Sequence, residues 1–106
     1  MTRELSKQEQ DIQLLLKRVI DPELMLNILD LGLVYDVRCD SSSKSIEVDM
    51  TLTSPGCPLG DVIIEDVEHV VKSEFTDFNI KVNLVWKPAW TLDRLSETGK
   101  KALGRI

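Results

Sequence analysis

The sequence predicts an α+β domain: a small three-stranded mixed sheet with helices on one face and the element order αββαβα. Apolar residues recur at helical spacing in two main segments and alternate with polar residues in three others. A short polar connection between the first two alternating segments favours an antiparallel hairpin, and the third strand then joins by a crossover. Residues 1–106 are expected to form a single domain, because one hydrophobic core is usual at this length.

The first helix is predicted to begin at Ser6, because Ser6 and Glu9 have the spacing of a capping box. Apolar residues then recur on one helical face. They are Ile12, Leu15, Leu16 and Val19. Pro22 disfavours helical geometry in the residue before it, so the helix is expected to end near Ile20 and to give way to a turn that begins at Asp21.

Residues 33–39 and 46–53 each alternate apolar and polar side chains, which is typical of half-buried strands. The apolar positions are Leu33, Tyr35, Val37 and Cys39 in the first strand and Ile46, Val48, Met50 and Leu52 in the second. Residues 40–45 between them are polar. These two strands are therefore predicted to form the hairpin.

A second helix is predicted after the Pro-Gly-Cys-Pro turn, and it is followed by a third strand that ends at Pro88. The apolar residues are Val62, Ile63, Val67, Val70 and Val71 in the helix and Ile80, Val82, Leu84 and Trp86 in the strand. Thr91 is predicted to cap a short final helix. Its Leu92, Leu95 and Leu103 are expected to return to the core.

Composition excludes several classes of function. Thirteen basic and eighteen acidic residues give a net charge of -5, and no segment clusters Lys and Arg with aromatic residues, so a nucleic-acid partner is not expected. No apolar run approaches the roughly 20 residues that span a bilayer, and the amino terminus lacks a signal peptide, so a cytoplasmic protein without a membrane partner is expected. In the reducing cytoplasm the two cysteines are expected to be free thiols, although a Cys39–Cys57 disulfide remains an alternative.

Cys57 is the main candidate functional residue. Pro58 suits the first position of a helix, so Cys57 is expected to cap the second helix, where free amides and the helix dipole lower the pKa of a thiol. A thiolate attacks electrophiles and binds metals. The residues alone leave open a functional thiol or a small buried hydrophobe. Cys39 continues the apolar alternation of its strand and is predicted to fill the core.

Other reactive side chains indicate no familiar catalytic site. His69 lies off the apolar face of the second helix, which disfavours a Ser-His-Asp arrangement, and no segment has the pattern of a phosphate-binding loop. Asp21 and Glu23 flank Pro22, where acidic residues are usually solvated or cap the turn. Trp86 and Trp90 are expected to be packing residues.

Four ordered segments carry a resemblance to a known family. They are Val19–Leu24, Ile28–Tyr35, Thr51–Pro58 and Trp86–Trp90. Together they resemble the SufT/PaaD-type family of small iron-sulfur assembly domains. In that family an Asp-Pro-Glu turn, a threonine that ends the second strand and the Pro-Gly-Cys-Pro cysteine meet at one pocket. The resemblance therefore implies a pocket of Asp21, Glu23, Thr53 and Cys57, with Cys57 as a transient metal ligand. Without a P-loop domain or the cysteine-rich tail of PaaD proteins, a stand-alone SufT-like member is expected.

The resemblance implies an accessory protein, not an enzyme, that helps to assemble or deliver iron-sulfur clusters. Its partners would be the assembly machinery and apoprotein targets, and a homodimer stays open. No cofactor is expected to bind stably, only a transient iron-sulfur cluster or iron ion.

Three alternatives remain. One is a thiol-dependent enzyme with Cys57 as nucleophile and Asp21 or Glu23 as acid/base. Another is an accessory assembly factor for a multicomponent oxygenase. The third is an interaction module in which the cysteine is incidental.

Overall fold

The computed structural model describes residues 4–22, 24–53 and 60–103. Its elements are α1 (Lys7–Leu16), β1 (Ile20–Asp21), β2 (Leu26–Asn27), β3 (Val34–Asp40), β4 (Ser45–Met50), α2 (Gly60–Glu74), β5 (Asn79–Leu84), a 3-10 turn (Leu92–Arg94) and α3 (Glu97–Leu103). The predicted α+β class is confirmed. No helix within these ranges is long and apolar enough to cross a membrane.

The main sheet has the strand order β3-β4-β5. β3 runs antiparallel to β4, and β5 runs parallel to β4 with Asn79 opposite Ser45. The predicted hairpin and crossover are therefore confirmed. α1 packs on β3, α2 packs on β5, and the two helices contact each other, which places both on one face of the sheet.

The two faces of the sheet differ in chemistry. The covered face is apolar, and its fully buried side chains include Ile12, Leu16, Val37, Ile46, Val48, Met50, Ile63, Val67 and Val71. On the other face the guanidinium of Arg38 donates to both carboxylate oxygens of Asp49, at 2.7 and 2.9 Å. This hydrogen bonding holds the pKa of Asp49 below its usual range. The helices therefore cover only one side of the sheet.

The capping box predicted for α1 is confirmed, and Glu9 has a further role. The amide of Glu9 donates to Ser6 Oγ at 3.2 Å, and the amide of Ser6 donates to Glu9 Oε1 at 2.9 Å. Glu9 Oε2 also accepts a hydrogen bond from the amide of Cys39 at 2.9 Å. Two residues earlier, the amide of Val37 donates to Asp36 Oδ1 at 2.9 Å. Glu9 thus joins the start of α1 to the end of β3.

α1 ends at Leu16, four residues before the predicted Ile20. The amides of residues 17–19 instead donate to carbonyls three residues back, at 3.0–3.2 Å, which tightens the chain into turns. Ile20 then pairs with Asn27 in the short β1–β2 ladder, which was not predicted. This small hairpin carries the Asp21 turn.

Alternation predicted the environment of several apolar residues wrongly. The register shifts between Val34 and Asp36, and Tyr35 is only half-buried with its hydroxyl donating to the carbonyl of Pro88 at 2.7 Å. Four residues expected in the core are 40–55% exposed. They are Leu84, Trp86, Val62 and Leu92.

The predicted final helix is interrupted. The 3-10 turn and α3 are separate, and the side chain of Thr91 makes no capping hydrogen bond. Leu95 is buried as predicted, at 5% exposure. The side chain of Leu103 lies outside the described part of the structure.

Candidate functional site

Asp21 is buried at the entrance of a tight turn. Its side chain is 2% exposed, and its Oδ1 accepts a hydrogen bond from the amide of Leu24 at 3.3 Å. Its carbonyl accepts the amide of Met25 at 2.7 Å. Met25 has a φ of 58° and is 74% exposed. The sequence left two environments open for the Asp21 carboxylate, solvent or a cap of the turn. The structure shows that it caps the turn.

A series of backbone hydrogen bonds connects the segments that carry Asp21 and Thr53. The carbonyl of Val19 accepts the amide of Ile28, the carbonyl of Ile28 accepts the amide of Leu33, and the carbonyl of Leu33 accepts the amide of Thr51. These bonds are 2.8–3.0 Å long. Asp21 and Thr53 each lie two residues beyond an end of this series. The predicted strand end at Thr53 is wrong, because β4 stops at Met50.

The start of α2 lies against the segment that follows β4. A Cβ added to Gly60 would stand 2.7 Å from Leu52 Cδ1, so the helix backbone and this side chain are in close contact. Residues 54–59 connect these two contacting positions. Cys57, the predicted cap of the second helix, lies outside the described residues together with Pro58 and Glu23, so the place of Cys57 and Glu23 in the pocket stays a prediction.

Cys39 has the environment of a packing residue. It is half-buried against the core, and its Sγ donates to Gln8 Oε1 at 3.7 Å. The pKa of the Cys39 thiol is raised, mainly by burial and to a smaller extent by the nearby charges of Glu9 and Asp40. The protonated form is therefore favoured at neutral pH, which makes Cys39 a poor nucleophile and metal ligand.

Other candidate ligands are dispersed. His69 is exposed, as predicted. Within residues 4–22, 24–53 and 60–103, no three His, Cys, Asp or Glu side chains form a group that could hold a metal ion. A metal or cluster site built from this chain therefore needs side chains besides those described, such as that of Cys57.

The structure contains a concave surface that the sequence did not predict, which we call the Arg94 groove. It has a volume of about 890 Å³ and lies between α1, the start of β3 and the 3-10 turn. Its lining includes Leu14, Lys17, Leu29, Val34, Tyr35 and Arg94. These residues come from three distant parts of the chain, so no local pattern could have indicated the groove.

Known proteins resemble this chain in sequence and in fold. Residues 9–84 match the sequence model of the family described as iron-sulfur cluster assembly protein. The chain is 40% identical to an Fe-S protein maturation auxiliary factor of Porphyromonas gingivalis, over 98% of both proteins. It is 49% identical to the Fe-S protein maturation auxiliary factor SufT of Staphylococcus aureus, over 81% of this chain and 97% of SufT. The crystal structure of a domain of unknown function from Bacillus anthracis superposes with a TM-score of 0.86, at 42% identity and 92% coverage of each chain.

Proposed function

This chain belongs to the iron-sulfur cluster assembly protein family, and we propose that it is an accessory factor that helps to deliver clusters to apoproteins through the thiol of Cys57. The family match over residues 9–84 carries the proposal, because that range includes Asp21, Glu23, Thr53 and Cys57. Relatives that align over nearly their whole length are named as maturation auxiliary factors, which supports an accessory role.

The contrast between the two cysteines supports Cys57 as the working thiol. The pKa of Cys39 is raised, and its amide and thiol are engaged by Glu9 and Gln8. Cys57 follows a glycine and precedes Pro58, a context that suits a helix cap and a lowered thiol pKa. Transient contact with a cluster, an iron ion or a partner's thiol therefore falls to Cys57.

The cluster is cargo in this proposal. An iron-sulfur cluster is usually held by cysteine thiolates alone. It needs more thiolates than the two cysteines of this chain can supply. The remaining ligands would come from the assembly machinery, an apoprotein or a second copy. Asp21 and Glu23 could give oxygen ligands to a lone iron ion.

A cluster-transfer assay tests the proposal. The protein is mixed anaerobically with a cluster donor and an apo-target, and holo-target formation is followed by absorbance and target activity. We expect acceleration by the wild type and by the Cys39→Ser control, loss of acceleration in Cys57→Ser, and partial loss in Asp21→Asn.

Other outcomes favour the rival functions. Full acceleration by Cys57→Ser would refute the role of this thiol and leave an interaction module. Turnover of a small electrophilic substrate that needs Cys57, with no cluster donor present, would indicate a thiol-dependent enzyme. Acceleration confined to an apo-oxygenase target would indicate the specialised oxygenase factor.

A further inference from the structure

Arg94 is held in a fixed position in the Arg94 groove. Its guanidinium carbon lies 4.6 Å from the centroid of the Tyr35 ring, a cation–π geometry. The Tyr35 hydroxyl in turn donates to the carbonyl of Pro88 at 2.7 Å. Arg94 also lies directly over Gly32, where an added Cβ would clash with its carbonyl oxygen. One cation of the groove is therefore already oriented before any ligand arrives.

The segment that carries Arg94 is anchored on both sides. Before it, Trp90 Nε1 donates to the carbonyl of Leu31 at 2.6 Å. After it, the amide of Ser96 donates to the carbonyl of Asp30 at 2.8 Å, and the side chain of Leu95 is buried. This wall of the groove needs little reordering on binding, which reduces the entropic cost of association.

The groove has two cations, Lys17 and Arg94. In the part of the chain that the structure describes, Arg38, Lys7 and Lys44 each form an ion pair, whereas Lys17 and Arg94 form none. Asp93 is the one acidic residue among the groove's described lining. In a protein with a net charge of -5, this is a locally basic surface.

The floor of the groove is apolar. Leu14 is 62% exposed there, and Leu29 and Val34 lie beside it. An exposed leucine that shares the groove with Lys17 and Arg94 offers a place for an apolar side chain with carboxylates near it. The charge and the apolar floor therefore favour a ligand that combines both features.

We propose that the Arg94 groove binds an acidic segment of a client apoprotein that also carries a large apolar side chain. A guanidinium stacked on an aromatic ring keeps its edge donors free for a bidentate bond to a carboxylate. A second carboxylate meets Lys17, and the apolar side chain covers Leu14. This inference rests on the proposed function and deepens it by naming the class of partner.

Peptide binding tests the inference. The probe is a fluorescein-labelled peptide with a leucine flanked by glutamates, measured by anisotropy against the full chain, and the control peptide has glutamine for each glutamate. We expect saturable binding of the acidic peptide that weakens with added salt, and much weaker binding of the control peptide.

Matched variants locate the binding. Arg94→Gln is expected to weaken binding about tenfold, as for the loss of a charge-assisted hydrogen bond. Lys17→Gln, at an exposed position, is expected to weaken it roughly two- to fivefold. Arg18→Gln is the control, since it removes the same charge one residue away, and Arg18 does not line the groove but a neighbouring depression that shares Leu14 with it. Its affinity is expected to match the wild type.

Several results would overturn the proposal. These are equal binding of the two peptides, no saturable binding, or equal losses in Arg94→Gln and Arg18→Gln. If the protein forms a dimer that Arg94→Gln dissociates, and the peptide does not dissociate it, the groove would be assigned to a second copy of the chain instead.

Cys57→Ser separates this inference from the proposed function. We expect this variant to bind the peptide like the wild type while failing in cluster transfer. If transfer depends on Cys57 but the peptide does not bind, the groove proposal alone is wrong. If the peptide binds but transfer does not depend on Cys57, the proposed function alone is wrong.

Discussion

Replacing Gly32 with alanine is expected to destabilise the protein by about 3 kcal/mol. Gly32 has a φ of 75°, and a residue with a Cβ in the left-handed region costs roughly 1–2 kcal/mol. The new Cβ would also lie 2.7 Å from Arg94 Cβ and clash with the Arg94 carbonyl oxygen, and overpacking adds about 1–3 kcal/mol. The hydrogen bonds of Trp90 and Ser96 restrain the Arg94 backbone, so it cannot easily move away from the new Cβ.

Thermal and urea unfolding of Gly32→Ala beside Gly60→Ala measures this cost. For a domain of this size 1 kcal/mol lowers Tm by about 4 °C, so a drop on the order of 12 °C is expected for Gly32→Ala. Gly60→Ala is the matched control, because the described atoms nearest to its added Cβ all belong to the side chain of Leu52, with the terminal Cδ1 closest at 2.7 Å, and none belongs to backbone. It is expected to cost no more than about 1 kcal/mol. A Gly32→Ala protein as stable as Gly60→Ala would refute this reasoning.

Cys57 is expected to react faster than Cys39 with iodoacetamide at neutral pH. Burial and the charges of Glu9 and Asp40 raise the pKa of Cys39, so its thiolate appears only as the pH rises further. Labelling of the two single-cysteine variants across pH measures both rates. Equal rates would contradict the prediction. Leu16→Ala is expected to lower the free energy of unfolding by about 3 kcal/mol, since Leu16 is fully buried, and Cys57→Ser to lower it little; urea unfolding compares them. Purified monomer is expected to show no stable cluster absorption, and any cluster reconstituted anaerobically should elute with a dimer or mixed complex and disappear in Cys57→Ser. A stoichiometric cluster on the monomer would show that the ligands are wrongly chosen.

The features predicted correctly depend on residues near each other in the sequence. Ser6 and Glu9 form the capping box because a helix start places its first and fourth residues together. Period-two alternation located β3, β4 and β5, because side chains of a strand alternate between two faces. Short polar or helical connections then favoured the hairpin and the crossover.

The errors arise where tertiary contacts decide. Alternation gives the face of the sheet on which Leu84 lies, but not whether a helix covers that end of the strand. The predicted strand end at Pro88 is wrong, because β5 ends at Leu84 and Trp86 lies beyond it. The register shift beside Tyr35 has no sequence pattern of its own. β1 and β2 have two residues each, too few for any period, so the hairpin that buries Asp21 was not predicted.

The candidate site was predictable only in part. Asp21 and Thr53 were identified through the family resemblance, since an acidic turn and a threonine carry no recognisable chemistry alone. The Arg94 groove was not identified at all. Lys17 and Arg94 meet only after folding has brought α1 beside the 3-10 turn.

The hydrogen bonds along β3 have a consequence for self-association. An edge strand normally presents free amides to any other extended chain, which is how soluble proteins begin to aggregate. The amides of Val37 and Cys39 are occupied by the carboxylates of Asp36 and Glu9. A second β3 strand approaching this edge would have to break both bonds and bring four like charges together. This edge is therefore protected against fibre-like growth, and a homodimer that assembles during cluster transfer is expected to use another surface.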